Sequence, residues 1–364
     1  MFSLLYLKRG GNAKNFSGLS GLGNCGCKQA KVFYEMGYKA MFANGSEQDL
    51  KILGDVPNIY RLKNFDGFGG HRERALDCLA ENEEFVEALQ GIKEKIVFVL
   101  HSTGGSTGSG IAPYGEEVLT ENKDEDGNTE KIVCPVPTLP SFDEPIGKKR
   151  SAYKAMLDIQ EMKDLLGATF FINNNAAKDY DRINSNFAKM LDSFLTNASY
   201  GKLNNFDESE KIEMLRQSGA TVLGLFGKEH DKAFMLERLT KNGIFAPIEI
   251  NKICGDIAVV HSGSDSSDIT VEDVITEFGK PFNIFEGYNN RNSTLICVNG
   301  LDYPVTHIKQ LGELAQQAFN ERNRNRKSVE KLSDLDFMEE KAPKATPEKK
   351  TSSKLDLLRM RMKK

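Results

Sequence analysis

Gly104-Gly105-Ser106-Thr107-Gly108-Ser109-Gly110 follows Lys95-Ile96-Val97-Phe98-Val99-Leu100 and precedes Ile111-Ala112-Pro113-Tyr114-Gly115-Glu116-Glu117-Val118-Leu119. The first flank is a short apolar run rich in β-branched residues, the pattern of a buried strand. The second flank reads as a helix opening at Ile111. Four glycines allow positive φ and close approach of the backbone to a ligand. Thr107 and Ser109 add hydroxyl donors. Backbone N–H groups converging at a helix N-terminus favour an anion, phosphate above all. A flexible Gly/Ser linker is the bland alternative, and linkers seldom follow a buried strand so abruptly. The run is not a P-loop, because no Gly-Lys-Ser/Thr ends it.

The run resembles the tubulin/FtsZ signature, in which a Gly-Gly-Gly-Thr-Gly-Ser-Gly-type loop holds the phosphates of GTP. The resemblance implies GTP/GDP and Mg²⁺ as cofactors, with Gly104, Gly105, Ser106, Thr107, Gly108, Ser109 and Gly110 at the nucleotide. A second glycine loop spans Ser17 to Gly26, with a helix at Gln29–Met36 and a strand at Lys39–Ala43 after it. With Phe2–Leu7 read as a first strand, this is the opening of a nucleotide-binding fold. Alone it suits an NAD enzyme equally well. It is similar to the family's first phosphate loop, which implies contacts from Gly21, Gly23, Asn24 and Cys25; Gly10-Gly11-Asn12 is the alternative. Asn44, twenty residues after Asn24, matches the family's second loop. Gly69 and Gly70, followed by Arg72 and Arg74, match a third loop that senses the γ-phosphate, and glycines with arginines before a helix suit an anion.

Phe142-Asp143-Glu144-Pro145-Ile146-Gly147-Lys148-Lys149-Arg150 resembles the family's fifth loop, with two residues inserted before the glycine. The match implies Glu144 at the ribose and Arg150 at the phosphate or base region. Strand Thr169–Ile172 runs into asparagines, and an amphipathic helix follows with Ile183, Phe187, Met190, Leu191 and Phe194 on one face. The family holds guanine between two such elements, which implies Asn184 and Asn174, with Asn173 as the alternative to the latter. Asn205-Phe206-Asp207-Glu208-Ser209-Glu210 resembles the synergy loop Asn-x-Asp-x-x-Asp, with Glu210 in place of the last Asp. Three-residue spacing puts Asp207 and Glu210 on one helix face. Such carboxylates can polarise a water for attack on phosphorus, and equally suit a helix N-terminus for structural reasons. The resemblance implies that Asn205, Asp207 and Glu210 are catalytic in the pocket of the next subunit.

The chain has 364 residues, 39% hydrophobic and 27% charged, with net charge −4, which leaves no global nucleic-acid footprint. No apolar run approaches the length of a membrane span. Six scattered cysteines without Cys-x-x-Cys or zinc-like spacing read as reduced thiols, and no protein metal site is expected. The expected fold is α/β: a Rossmann-like GTP-binding domain over 1–200 with a central helix at about 180–197, a smaller α/β domain over 201–304, a long helix at 305–330 and a disordered basic tail at 331–364. Phe285, Gly287, Tyr288 and Asn289 before a strand look most like the TubZ branch of plasmids and phages. That branch implies a head-to-tail filament of the protein with itself, movement of plasmid or phage DNA, and a bacterial host cytoplasm. From Lys341 to Lys364 the tail carries nine Lys/Arg and two acids. It can meet an acidic groove on a neighbouring subunit or a DNA-binding adaptor, touch DNA or an anionic membrane by charge, or only solubilise the chain. A non-hydrolysing filament and a monomeric dinucleotide enzyme are the rival functions.

Overall fold

The computed structural model describes residues 14, 17–121, 130–197, 206–249, 251–263, 269–326 and 353–362. Phe2–Leu7 and Asn205 lie outside the described residues. The first half runs β1 (Ser17–Leu22), α1 (Gly23–Glu35), β2 (Lys39–Asn44), α2 (Glu47–Lys51), β3 (Ile59–Arg61), α3 (Ala75–Ala80), α4 (Glu83–Gln90), β4 (Ile96–Ser102), α5 (Ser106–Leu119), β5 (Ile132–Leu139), α6 (Ile146–Glu161), β6 (Ala168–Thr169), β7 (Ile172–Asn173) and α7 (Tyr180–Thr196). The second runs α8 (Glu208–Arg216), β8 (Gly219–Gly227), α9 (Lys232–Thr240), β9 (Asp256–Ser262), α10 (Val271–Phe278), β10 (Asn283–Asn289), β11 (Ser293–Leu301), α11 (Val305–Arg326) and α12 (Lys354–Met362).

One sheet has the order β3-β2-β1-β4-β5-β7, every pair parallel. The connections run outward from β1 to β3, then return to the other side at β4. The chain therefore reverses direction between β1 and β4, and ligands of open parallel sheets bind beyond the C-terminal ends of such strands. The second sheet, β10-β9-β11-β8-β6, is mixed. The stretch read as one strand at Thr169–Ile172 is divided between the two: Thr169 pairs with Ala220, and Ile172 with Thr138. The buried Phe170 sits at that crossing. Helix α7 turns its apolar face to the same place, with Phe187 5.7 Å from Phe170, 5.9 Å from Phe33 and 6.1 Å from Phe245. One aromatic cluster thus joins both sheets to the helix.

Four sequence readings are corrected. Ser17–Leu22, taken for part of a loop, is the buried central strand β1, and α1 starts at once at Gly23. A Cβ on Gly21 would lie 2.6 Å from Gly26 O, and one on Gly26 1.9 Å from Leu100 O. The glycines let α1 pack against strand backbone. Likewise α5 begins at Ser106 rather than Ile111, and positive φ is absent from Gly104, Gly105, Gly108 and Gly110. A Cβ on Gly108 would meet Leu22 O at 2.6 Å, and one on Gly110 would meet Arg72 O at 2.6 Å. Close backbone packing, not left-handed φ, demands glycine there.

The fourth correction concerns the tail. Helix α11 packs along α6, where a Cβ on Gly312 would touch the Tyr153 ring at 2.8 Å. Residues 327–352 are outside the described set, but Lys354–Met362 form α12, seated on α3 and α5 with Leu355 and Leu358 buried. Each leucine buried contributes ~1.5–3 kcal/mol, and exposed ion pairs of the tail arginines well under ~1 kcal/mol each.

His307 of α11 is buried with its ring 4.9 Å from that of Phe142, and desolvation pushes its pKa down to about 4. The unfolded chain, with an ordinary histidine near ~6.5, binds a proton that the folded chain refuses. Stability associated with His307 is therefore complete above pH ~6.5 and is lost as pH falls toward 4, by roughly 3 kcal/mol. His307→Gln is expected to flatten urea-measured stability between pH 6.5 and 4; an unchanged slope would remove His307 from the acid response.

Candidate functional site

A cavity of about 580 Å³ opens at the reversal point between β1 and β4. The last residue of β1, Leu22, hands over to Gly23, whose φ of 69° turns the chain into α1. A Cβ on Gly23 would lie 2.9 Å from Gly108 N, so the two loops cross backbone to backbone. Helices α1 and α5 both point their N-termini into the cavity. Neither has a side-chain cap, and neither has an acid in its first turn. By contrast Asp179 caps α7, Asp207 caps α8 and Thr270 caps α10. Uncapped N-termini leave N–H groups and the positive end of each dipole for an anion. Lys28, Lys148 and Lys178 add cations to the lining.

Of the residues expected at a nucleotide, Gly23, Asn24, Cys25, Asn44, Gly104, Gly105, Ser106, Thr107, Gly108, Glu144, Asn174 and Asn184 line the cavity. Asn44 is buried and holds the following turn, accepting from Ser46 N (3.3 Å) and donating to Asp49 Oδ2 (3.0 Å). Asn184 accepts from Gln29 Nε2 at 3.0 Å, which leaves its NH₂ end as the one to offer a ligand. Asn174 lines the cavity, whereas Asn173 is committed to its own turn, its Oδ1 accepting from Asn175 N at 3.0 Å and Nδ2 at 2.9 Å. Cys25 is an inert thiol, pushed up to about 11 by burial.

Gly21, Gly69, Gly70, Ser109, Gly110 and Arg150 do not line it. Gly21 is inside β1. Gly70 N donates to Ser106 Oγ at 3.3 Å, so that loop lies over the start of α5 while its neighbour Gly67 reaches the cavity. Ser109 faces α6 at Ser151 Oγ, 3.2 Å away. Arg72 donates to Ser109 O at 2.8 Å and pairs with Asp158; Arg74 lies over the Phe65 ring. Both arginines serve the scaffold. Arg150 belongs to a groove between α6 and α11. Positions i and i+2 on a helix are about 200° apart, so Lys148 faces the cavity and Arg150 faces away from it. Lys148 pairs with Glu144, which also accepts from the Tyr180 hydroxyl at 3.3 Å. Sequence reasoning missed Lys28, one helical turn beyond Asn24, and Lys148, inside the stretch already singled out. Lys178 left no sequence signal.

Asp207 and Glu210 are also absent from the lining. They form a capping box on α8: Asp207 Oδ1 accepts from Ser209 N at 2.8 Å, and Glu210 Oε2 from Asp207 N at 3.0 Å. The hydrogen bond from Glu210 holds Asp207 below the usual carboxylate range, while burial and the same bond raise Glu210. One proton therefore belongs to Glu210 more than to Asp207. Lys211 beside them is buried, lowered to about 8 by desolvation, and donates to Leu195 O at 3.4 Å and to Asn197 O. The acid pair is thus fixed to the C-terminal end of α7, whose N-terminal end lines the cavity. Seventeen residues separate the ends, roughly 25 Å of helix.

Residues 19–181 match the family model described as Tubulin/FtsZ family, GTPase domain. This segment is a tubulin/FtsZ-family GTPase domain. Among relatives, the tubulin-like protein TubZ of Clostridium botulinum C phage is 25% identical over 294 residues, 78% of each chain. CetZ of Pyrococcus abyssi is 23% identical over 266 residues, 66% of this chain and 71% of the relative. The crystal structure of C. botulinum phage c-st TubZ superposes with a TM-score of 0.72 at 21% identity, covering 85% of this chain and 99% of that one. A GTPγS-form protofilament of Bacillus thuringiensis serovar israelensis TubZ gives 0.71 at 14% identity, covering 86% and 94%. Over 85% of its length the chain superposes on the TubZ fold, with the tubulin/FtsZ-type domain in its first half. Among the described residues no helix is long and apolar enough to cross a membrane.

The crossing of the two loops is the tight point of this domain. Gly108→Ala, with its Cβ 2.6 Å from Leu22 O, is expected to cost roughly 1–3 kcal/mol. Gly147→Ala, whose Cβ meets nothing within 4 Å in the first turn of α6, is expected to be neutral or to stabilise by up to ~1 kcal/mol. Thermal melting of both variants checks the pair; equal losses would refute the packing argument.

Proposed function

We propose that the cavity holds GTP and that the chain hydrolyses it once copies stack head to tail. The carrying observation is the separation of binding and acid groups: two uncapped helix N-termini open on one cavity, while Asp207 and Glu210 sit at the far end of α7. The first turns of α1 and α5, with Lys148 and Lys28, receive phosphates. Asn184, through its NH₂ end, and Asn174 address guanine, whose edges carry both acceptors and donors. Glu144 and Tyr180 stand toward the ribose. Among the described residues no three His, Cys, Asp or Glu side chains converge on a metal. Mg²⁺ would be held chiefly by phosphate oxygens and water, its usual mode with nucleotides, and would neutralise phosphate charge.

A head-to-tail stack brings the α8 end of one copy over the cavity of the next, a heterologous contact that extends into a filament. There Asp207, kept ionised by its hydrogen bond, orients a water toward the γ-phosphate, and Glu210 holds the proton the pair shares. Asn205, outside the described residues, belongs to the same loop. The phage origin of the TubZ relative supports plasmid or phage DNA as cargo in a bacterial host cytoplasm, reached through an adaptor. The capping box favours one rival: carboxylates fully used by their own helix would leave a filament that binds GTP and does not hydrolyse it.

Turnover per molecule measured against protein concentration, with light scattering in the same cuvette, separates the readings. We expect a shared threshold below which both signals vanish; turnover that stays flat on dilution would mean a self-contained site. Asp207→Ala is expected to abolish turnover and leave stable filaments with GTP, and unchanged turnover would exclude the carboxylates. For nucleotide binding by calorimetry, Lys148→Ala is expected to weaken affinity about tenfold, as loss of a charged phosphate contact would, whereas Arg150→Ala should change it less than about twofold.

A further inference from the structure

The stretch Ser353–Met362 places Lys354, Arg359 and Arg361 around Leu355 and Leu358. In the fold it is not free. Leu358 is 1% exposed and Leu355 8%, both against the body. Its charges meet acids on two helices and just beyond a third. Arg361 lies 2.8 Å from Asp77 of α3. Arg359 pairs with Glu121 just beyond α5, and Leu355 N donates to Glu117 Oε2 of α5 at 2.9 Å. Lys354 lies 3.3 Å from Asp158 and 3.5 Å from Glu161 of α6. Two leucines three residues apart in an apolar seat, rimmed by five acids, form a site with the charge and spacing of a particular ligand.

We propose that this flank of α3, α5 and α6 is a receptor for a basic helix that buries two leucines three residues apart, with the chain's own residues 353–362 as its resident ligand. The 26 residues 327–352 tether that ligand to α11. Covalent linkage makes the encounter intramolecular, with effective concentrations in the ~mM range. A helix that binds in trans at only ~100 µM then occupies its own site about nine-tenths of the time. Self-occupancy keeps the acidic flank closed to other basic segments and keeps the tail's arginines out of reach of acidic partners. The site is also close to the cavity's framework: Asp158 holds Lys354 on one side and Arg72 on the other, and Arg72 donates to Ser109 O within α5.

The test uses the full chain. Leu355→Asp with Leu358→Asp prevents the resident helix from seating. A fluorescein-labelled peptide of residues 353–364 is titrated into this variant and into the unaltered chain, followed by anisotropy. We expect binding to the variant at least tenfold tighter than to the unaltered chain, and loss of binding when the peptide itself carries Leu358→Asp. Equal affinity for both chains, or no binding to either, overturns the proposal. Amide exchange on the unaltered chain gives a second reading that does not depend on the variant's folding. Slow exchange over residues 354–362 is expected, and exchange as fast as in a free peptide of that sequence would overturn it.

Discussion

Everything at the cavity depends on one crossing of backbone over backbone. The end of β1 and the first turn of α5 meet where Gly23 and Gly108 stand, with Leu22 O and Gly108 N closer to those glycines than any side chain could allow. That contact brings the N-termini of α1 and α5 to a single point beyond the parallel sheet. Neither helix caps itself. Two sets of N–H groups without side-chain caps and two dipoles therefore face the same volume, an arrangement that suits an anion of some size.

The second constraint is distance. Helix α7 starts at the cavity and ends beside α8, and its Phe187 locks it between the two sheets. A rigid rod of this length keeps the acid pair from the same copy's cavity. The pair is nonetheless prepared: hydrogen bonding and burial drive Asp207 and Glu210 in opposite directions, and the buried Lys211 fixes α8 to the end of α7. A group so positioned acts on something outside its own subunit or serves only as a cap.

Much of this was readable in the residues, and the misses share a cause. The glycine run stood out by residue type and spacing, and the asparagines at 24, 44, 174 and 184 and the acids at 144, 207 and 210 by their resemblance to the tubulin/FtsZ motifs. The reading went wrong where one residue type serves two physical needs. Glycine permits positive φ and also permits close packing, and at Gly21, Gly108 and Gly110 the second need governs. Arginine suits phosphate and also suits a carboxylate on the scaffold, and Arg72 is spent on Asp158. Arg150 was misplaced because helical phase, set by where α6 begins, decides which of two neighbouring cations faces inward.

The sequence by itself determined the class: a parallel α/β half with phosphate-type loops in family order, a central amphipathic helix and a carboxylate pair after it. These follow from local periodicity and from short motifs, which need no partner elsewhere in the chain. Only the tertiary structure decided that β6 and β7 divide one stretch between two sheets, and that uncapped helix ends converge while the acids stand apart. It also seated α12 on the acidic flank. Those outcomes depend on which surfaces meet across long separations in the chain, and pairing of that kind leaves no periodicity to read.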